Sequence, residues 1–449
     1  MSTAEGQLPV AENARLFHTG IVPDFLAGCA PQRAPTIVIV SGQTGAGKSA
    51  VTRAVKEALD LNGPAAWINM DFYNPFHPEY ARWQAERPHE ADALVRPDGD
   101  LWWGQAQDYA LSHGFNILLE SAMVSPAEYE EICLRVRAAQ LPPGVAPYRI
   151  ETAFVAVAPP FSSQGITTRF LDELHAHGHG RLIDPAVHAA SADGVLRGAA
   201  ALEREGLGDY AVVMRRGAHV VHSQPISAGH HVPEDHLTLV GAIERERRRI
   251  QTPAEAGLFA ARQAGAVLAA PEFLLAQLDD ISRSAAPLLP EPVSSWSDAV
   301  SLAITLRSAS SLPASDVTLL PRSTLEVTDF LAHALTDRHT ALAQGDAPAA
   351  TLHGQRVERL LSELARRSSL TPEQRMYEQE QRHSIQVAHA RSVTHPGATL
   401  PARVSPLAAR SRSTTVSRPP AGAPLPSPSP SRPTTGEAPV QQRPQRRGR

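Results

Sequence analysis

The chain has 449 residues, of which 42% are hydrophobic and 20% charged, and its formal net charge at pH 7 is −4. This length allows two or three domains. No secretory leader is apparent, and no apolar run reaches the roughly 20 residues needed to span a bilayer. The two cysteines, Cys29 and Cys133, lack a disulfide framework and the spacing of metal ligands, which is typical of a reducing compartment. We therefore expect a cytoplasmic protein that is neither secreted nor embedded in a membrane.

The basic charge is concentrated at the C-terminal end. Residues 391–449 hold ten arginines and a single acid, whereas residues 1–390 carry 32 basic and 45 acidic side chains. Because its globular part is acidic, the chain is not expected to contain a folded nucleic-acid-binding domain. The tail, 391–449, is rich in Pro, Ser and Thr, and such a segment cannot bury enough surface to offset its ordering entropy. We expect it to be disordered.

The first recognisable motif follows an N-terminal arm, residues 1–32, in which a short amphipathic helix is expected near Ala11 to Phe17. Pro35 to Ser49 reads PTIVIVSGQTGAGKS. A β-branched run leads into a glycine loop that ends in Lys48-Ser49, and a helical pattern follows. This is the strand–loop–helix setting of the G-x-x-x-x-G-K-[ST] phosphate loop. Only two of the 42 basic residues are lysines, and one stands here, where the broad fork of an arginine would not fit between two phosphates.

This phosphate loop predicts a site for ATP and Mg²⁺. Its glycines let the backbone turn with N–H groups pointing inward, and the N-terminus of the next helix adds partial positive charge. Lys48 is expected to reach the β- and γ-phosphates, and the Ser49 hydroxyl to bind Mg²⁺. The predicted ATP-binding residues are Gly42, Gln43, Thr44, Gly45, Ala46, Gly47, Lys48 and Ser49.

Helices and strands then alternate, which predicts a P-loop NTPase-type, doubly wound, mainly parallel α/β sheet in residues 33–228. The predicted strands are 37–40, 65–69, 116–119, 148–157, 210–214 and 219–223. The helical pattern over 77–114 is expected to break near Pro97-Asp98-Gly99. Only helical patterns remain from 232 to 390, which predicts an α-helical region whose role the sequence does not state. Within it, Glu244 to Arg249 (ERERRR) is expected to be a solvated, charged helix face.

Side chains suited to phosphoryl transfer follow the predicted strands, at the edge where open parallel sheets bind ligands. Asp71 follows the second strand and is a candidate base for an attacking hydroxyl, although an aspartate there can instead cap the next helix. Glu120 ends the third strand and is a candidate substrate-site or magnesium-side acid. Arg169 and Arg181 flank a Gly/His loop and are candidates for a clamp on the transferring phosphoryl group.

Several stretches together resemble, in order and spacing, the zeta toxin family over about residues 33–225. They are GQTGAGKS, Asp71-Phe72-Tyr73 with His77-Pro78, Asn116 to Glu120, Thr168-Arg169 and Arg181. Members of that family are P-loop kinases that phosphorylate the 3′-hydroxyl of the sugar in UDP-N-acetylglucosamine. The resemblance implies that Lys48 is the phosphate-loop lysine, that Asp71 is the base, and that the two arginines clamp phosphate. It also implies a toxin that blocks cell-wall synthesis and an antitoxin protein as its partner.

The acceptor side departs from the family pattern, in which Gly-Thr and an arginine follow the strand-end glutamate. Here Glu120 is followed by Ser121-Ala122-Met123-Val124, and Ser121, or alternatively Ser125, is the candidate to supply a substrate-binding hydroxyl. A P-loop kinase for another small-molecule or nucleic-acid hydroxyl is therefore a second hypothesis. A third hypothesis, from a different class, is an ATP-binding scaffold whose helical region and tail bind partners.

Overall fold

A six-stranded sheet lies at the centre of the fold in the computed structural model, which describes residues 6–87, 90–121, 125–227, 236–309, 316 and 318–394. The strands are β1 Thr36–Ser41, β2 Ala66–Ile68, β3 Ile117–Ser121, β4 Arg149–Val155, β5 Tyr210–Arg215 and β6 His219–Pro225. Their order across the sheet is β2-β3-β1-β4-β5-β6. Neighbouring strands pair in parallel, except that β6 runs antiparallel to β5. The predicted α/β fold with a mainly parallel sheet is therefore confirmed.

Helices connect the strands and continue beyond them. The α-helices are α1 Val10–Leu16, α2 Lys48–Asp60, α3 Tyr80–Glu86, α4 Ala91–Ser112, α5 Pro126–Ala138, α6 Pro159–His177, α7 Pro185–Glu205, α8 Leu239–Arg247, α9 Pro253–Ala269, α10 Leu275–Ala285, α11 Ser294–Arg307, α12 Thr324–Ala343, α13 Ala347–Ser368 and α14 Pro372–Thr394. A π-helical segment, Phe17–Leu26, follows α1. Short 3₁₀ turns cover Met70–Phe72, Asn74–Phe76, Glu272–Leu274 and Ala286–Leu288. Among the helices of these described ranges, none combines the length and the apolar character needed to cross a bilayer.

Successive residues of the strands feed two hydrophobic cores on opposite faces of the sheet, because side chains alternate between the faces of a strand. Val38 and Val40 of β1 face a core shared with α2 and α6. Ile37 and Ile39 face a core that contains the arm, α4, α5, α7 and α8. A parallel sheet covered on both faces has strands that are apolar along their whole length, which explains the uninterrupted run IVIV in β1.

The helical region packs directly against the sheet domain. The ring of Phe259 in α9 meets that of Phe161 in α6 edge-on, with 4.9 Å between the ring centroids, and Gln164 Nε2 of α6 donates to Gln263 Oε1 of α9 at 2.9 Å. The described part of the chain up to Gln386 forms one compact unit. The predicted boundary at 228–232 and the predicted tail beyond residue 394 lie outside the described residues, so both stay predictions.

The predicted break of the helical stretch 77–114 near Pro97 is wrong. The chain leaves helical geometry after Glu86, and α4 then continues through Pro97 without interruption. The next residue, Asp98, is fully buried, and its carboxylate accepts hydrogen bonds from the backbone N–H of Leu8 at 3.0 Å and from Asn13 Nδ2 at 2.8 Å. These contacts with the N-terminal arm hold α4 together where the local propensities of Pro and Gly oppose a helix.

Candidate active site

The loop between β1 and α2 folds back on itself at two glycines. Gly45 has φ +75° and Gly47 has φ +81°, a left-handed conformation that glycine adopts at little cost. The space at Gly45 is closed as well, because a Cβ there would lie 2.1 Å from the carbonyl oxygen of Ser162. Helix α2 begins at Lys48, so the free N–H groups of its first turn lie at the loop. Together these features form a backbone cradle that fits a phosphate group.

Lys48 links the loop to the charged side chains around it. Its Nζ donates to the carbonyl oxygen of Gly42 at 2.7 Å and to that of Gln43 at 3.4 Å. Burial lowers the pKa of its ammonium to about 8, and the charges of Glu120, Arg169 and Asp71 also act on it, the two carboxylates raising the pKa and the arginine lowering it. Glu120, Asp71 and Arg169, from three separate segments, are thus each near enough to Lys48 to interact with it electrostatically.

Asn69 contacts both acidic residues of this group, the carboxylate of Glu120 and the backbone of Asp71, and the sequence analysis missed it. Glu120 Oε1 accepts hydrogen bonds from Trp67 Nε1 at 3.0 Å and from Asn69 Nδ2 at 3.3 Å. The Oδ1 of Asn69 in turn accepts from the backbone N–H of Asp71 at 3.0 Å and caps the 3₁₀ turn that contains Asp71. Strands β2 and β3 pair in parallel with Ile68 opposite Leu119, so the residues that follow them, Asn69 and Glu120, lie beside each other. Asp71 therefore does not serve as the cap itself, and its side chain is exposed.

The two arginines of the predicted clamp lie on either side of Glu173. Arg169, on α6, has its Nε 3.7 Å from Glu173 Oε1, and its charge reaches Lys48. The backbone N–H of Arg181 donates to Glu173 Oε2 at 2.7 Å. The guanidinium of Arg181 forms an ion pair of 2.8 Å with Asp92 on α4. The structure therefore brings Arg169 to the Lys48 group and pairs the Arg181 side chain with α4.

Several hydroxyls bear on the predicted ATP, Mg²⁺ and acceptor sites. Ser49 is exposed in the first turn of α2, and the Thr44 hydroxyl is buried with no hydrogen-bond partner among the described residues. Hydroxyl and carboxylate oxygens are the ligands that Mg²⁺ prefers, so the exposed hydroxyl of Ser49 fits this ion. Ser121 Oγ is instead engaged, since it donates to Glu128 Oε1 of α5 at 2.6 Å. Residues 122–124, which follow it, lie outside the described residues.

A half-buried arginine in the turn between β5 and β6 also holds the loop, and the sequence analysis missed this residue too. Arg216 Nη2 donates to the carbonyl oxygens of Gly45 at 2.8 Å and Phe161 at 3.1 Å, and its Nε donates to that of Ala46 at 3.3 Å. Burial lowers the pKa of this guanidinium to about 10. In a chain with so many arginines, no local pattern distinguishes this one from a solvated arginine.

The prediction that Glu244 to Arg249 forms a solvated helix face is wrong for its central residues. Glu246 is only 8% exposed and Arg247 only 9%, because α8 packs against β5 and α7. Glu246 is paired with Arg215 at 2.7 Å and with Arg249 at 2.9 Å. Arg247 Nη2 donates to Gln43 Oε1 in the phosphate loop and to the carbonyl oxygen of Ala192 at 3.0 Å.

Comparison with known proteins bears on the segment that carries the loop and the acids. The model of the family described as zeta toxin matches residues 24–226. One similar solved structure, described under the molecular and structural characterization of the PezAT chromosomal toxin-antitoxin system of the human pathogen Streptococcus pneumoniae, is 14% identical, with 54% of this chain and 88% of that chain covered and a TM-score of 0.45. No curated protein matches. The family match spans the phosphate loop, both acids and both predicted clamp arginines, so the segment from residue 24 to residue 226 is similar to the zeta toxin family.

Proposed function

We propose that the chain is a Mg²⁺-dependent kinase that transfers the γ-phosphoryl group of ATP to a hydroxyl, with the 3′-hydroxyl of the sugar in UDP-N-acetylglucosamine as the favoured acceptor. The observation that carries the proposal is the electrostatic grouping of Lys48, Asp71, Glu120 and Arg169 beside the glycine cradle. In-line phosphoryl transfer depends mainly on positioning and on charge stabilisation. This grouping offers cations for the phosphates and a carboxylate for the acceptor hydroxyl.

Each side chain has one part in the proposed transfer. Asp71 accepts the proton of the acceptor hydroxyl as that oxygen bonds to the γ-phosphorus and the bond from phosphorus to the β–γ bridging oxygen breaks, which leaves ADP. Lys48 and Arg169 stabilise the charge on the phosphoryl oxygens, and Asn69 keeps Asp71 and Glu120 oriented. Mg²⁺, held through Ser49, neutralises phosphate charge when bound.

The choice of acceptor rests on the family, whose members act as toxins against cell-wall synthesis, and an antitoxin protein is then the expected partner. One observation favours a second candidate acceptor. Ser121, which we expected to contact substrate, has its hydroxyl bonded to Glu128, and the Gly-Thr and arginine pattern of the family is absent after Glu120. A kinase for a different small-molecule hydroxyl is therefore the alternative proposal.

The proposal is tested with purified full-length protein, γ-labelled ATP and Mg²⁺ in the presence of UDP-N-acetylglucosamine. We expect label on the sugar, a loss of about 10²–10⁴-fold in rate for Asp71→Asn, and a loss of about 10²–10³-fold for Lys48→Ala. Lys56→Ala is the matched control, since Lys56 is the only other lysine and pairs with Asp60 on α2 at 2.6 Å. It should keep the wild-type rate.

Two results would change this assignment. If ATP binds and no label reaches the sugar, the acceptor is wrong, and other hydroxyl compounds are then tested with the same variants. If Asp71→Asn transfers phosphate as fast as the wild type, Asp71 is not the base.

A further inference from the structure

The phosphate loop is held by a side chain from outside the family domain. Gln43 is fully buried, and its amide is saturated on both sides. Nε2 donates to the carbonyl oxygen of Val157 at 3.0 Å and to Ser162 Oγ at 2.8 Å, while Oε1 accepts from Arg247 Nη2. Arg247 ends α8, 21 residues beyond the last residue of the family match, 226.

The burial of Arg247 at this place lowers the stability of the fold. It is 9% exposed, its Nε is buried with no hydrogen-bond partner in the described part of the chain, and the acceptors of its Nη2 are neutral oxygens of Gln43 and Ala192. Burial without a bonded carboxylate costs stability, and it lowers the pKa of this guanidinium. The hydrogen bond from Arg247 does, however, fix the orientation of the Gln43 amide.

The same hydrogen-bond network extends to the helix that carries Arg169. Ser162, which accepts from Gln43, lies on α6 and is 2.8 Å from His188 Nε2 on α7. Further along α6, Gln164 is bonded to α9. The loop, α6, α7 and α8 therefore share one buried set of polar contacts, and a shift of the Gln43 backbone would move a carbonyl oxygen that holds Lys48.

We propose that Arg247 is a positioning residue for the phosphate loop. Through this residue the helical region contributes to the nucleotide site. The proposal rests on the proposed function in one respect, that ATP is the ligand of the loop. With Arg247 in place, the Gln43 amide has a single satisfied orientation. Without it, the amide oxygen is buried and unpaired, so the loop loses a constraint that ATP binding then has to restore.

The test is the affinity of the full-length protein for Mg·ATP, measured by calorimetry together with the melting temperature. We expect Arg247→Met to weaken ATP binding by about 10–100-fold, by analogy with metal sites, where removal of the partner that orients a ligating side chain has an effect of that size. Arg249→Met is the matched control, because Arg249 lies two residues on and bonds Glu246 and Glu255. It should lower the melting temperature and leave ATP affinity within about twofold.

A double substitution separates positioning from general stability. If Arg247 acts through Gln43, Gln43→Met with Arg247→Met binds ATP no more weakly than Gln43→Met alone. Losses that simply add would contradict the proposal, as would wild-type affinity in a folded Arg247→Met chain. Should Arg247→Met fail to fold, Arg247→Lys keeps the charge but has one donor nitrogen in place of the guanidinium fork, and it is expected to bind ATP several-fold more weakly. Unchanged affinity in that variant overturns the proposal. Failure of the wild type to bind ATP would instead refute the proposed function and this inference with it.

Discussion

Lys48 is bonded to its own loop rather than to a carboxylate. Its Nζ lies on the carbonyl oxygens of Gly42 and Gln43, and burial lowers its pKa from the ordinary lysine value to about 8. A phosphate brought to this ammonium favours the charged form and raises the pKa again. A protein whose Lys48 has partly lost its proton must therefore take one up when it binds ATP.

We predict that proton uptake accompanies ATP binding at about pH 8.5 and is absent at about pH 6.5, where the free protein already carries the proton. The sign follows from the lowered pKa of the free protein: affinity for ATP is highest below pH 8 and falls as the pH rises through it. Calorimetry in buffers of different ionisation enthalpy measures the uptake. Lys48→Met should abolish it and Lys56→Met should leave it unchanged. Equal uptake in wild type and Lys48→Met would refute this assignment.

The residues of the candidate site differ in how far a sequence can identify them. Lys48 and its glycines belong to one contiguous motif whose spacing carries the chemistry, and Asp71 and Glu120 follow predicted strands. Asn69, Arg216 and Arg247 act through contacts between segments that are distant along the chain. The sequence around these three residues does not predict a hydrogen bond to a partner up to 204 residues away. Their roles can therefore be identified only in the folded chain.

Among the elements, α4 shows why local propensity misled the prediction. The strands were predictable because β-branched runs alternate with helical patterns, and the observed bounds differ from the predicted ones mainly at the strand ends. Pro97 and Gly99 have the lowest helix propensities, yet the helix persists because Asp98, between them, is bound by the arm. Phe17 and Ile21 of that arm are buried in the core beneath.

We predict that Asp98→Ala lowers the free energy of unfolding by about 1–3 kcal/mol, because the N–H of Leu8 and the amide of Asn13 lose their buried acceptor. Urea unfolding measures the change. Asp100→Ala is the matched control, since its carboxylate is 58% exposed and lies 3.7 Å from Arg96, and it should change stability by less than about 0.5 kcal/mol. Equal effects of the two substitutions would show that the arm contact does not stabilise α4.

On the scale of the whole molecule, one hydrophobic core joins the sheet to the helical region. It includes Val38 and Val155 of the sheet, Phe259 of α9 and Leu335 of α12. A cut near residue 230 would expose this core as well as remove Arg247. Loss of activity in such a shortened chain would therefore not distinguish a partner-binding scaffold from a kinase, and point substitutions in the full chain are the sharper test.

A shared core predicts that the two parts unfold together. Phe259→Ala removes a side chain that is 5% exposed and packs on Phe161, so we expect a loss of about 3–5 kcal/mol. Hydrogen exchange followed by mass spectrometry should show reduced protection both in β3 and in α12, since global unfolding limits exchange in the core of each part. Leu352→Ala, at a side chain that is 65% exposed, is the control and should leave both unchanged. Loss of protection in α12 with β3 unaffected would mean that the helical region opens independently of the sheet. The contact of Arg247 with the phosphate loop would then have to form on a surface that unfolds separately from the sheet.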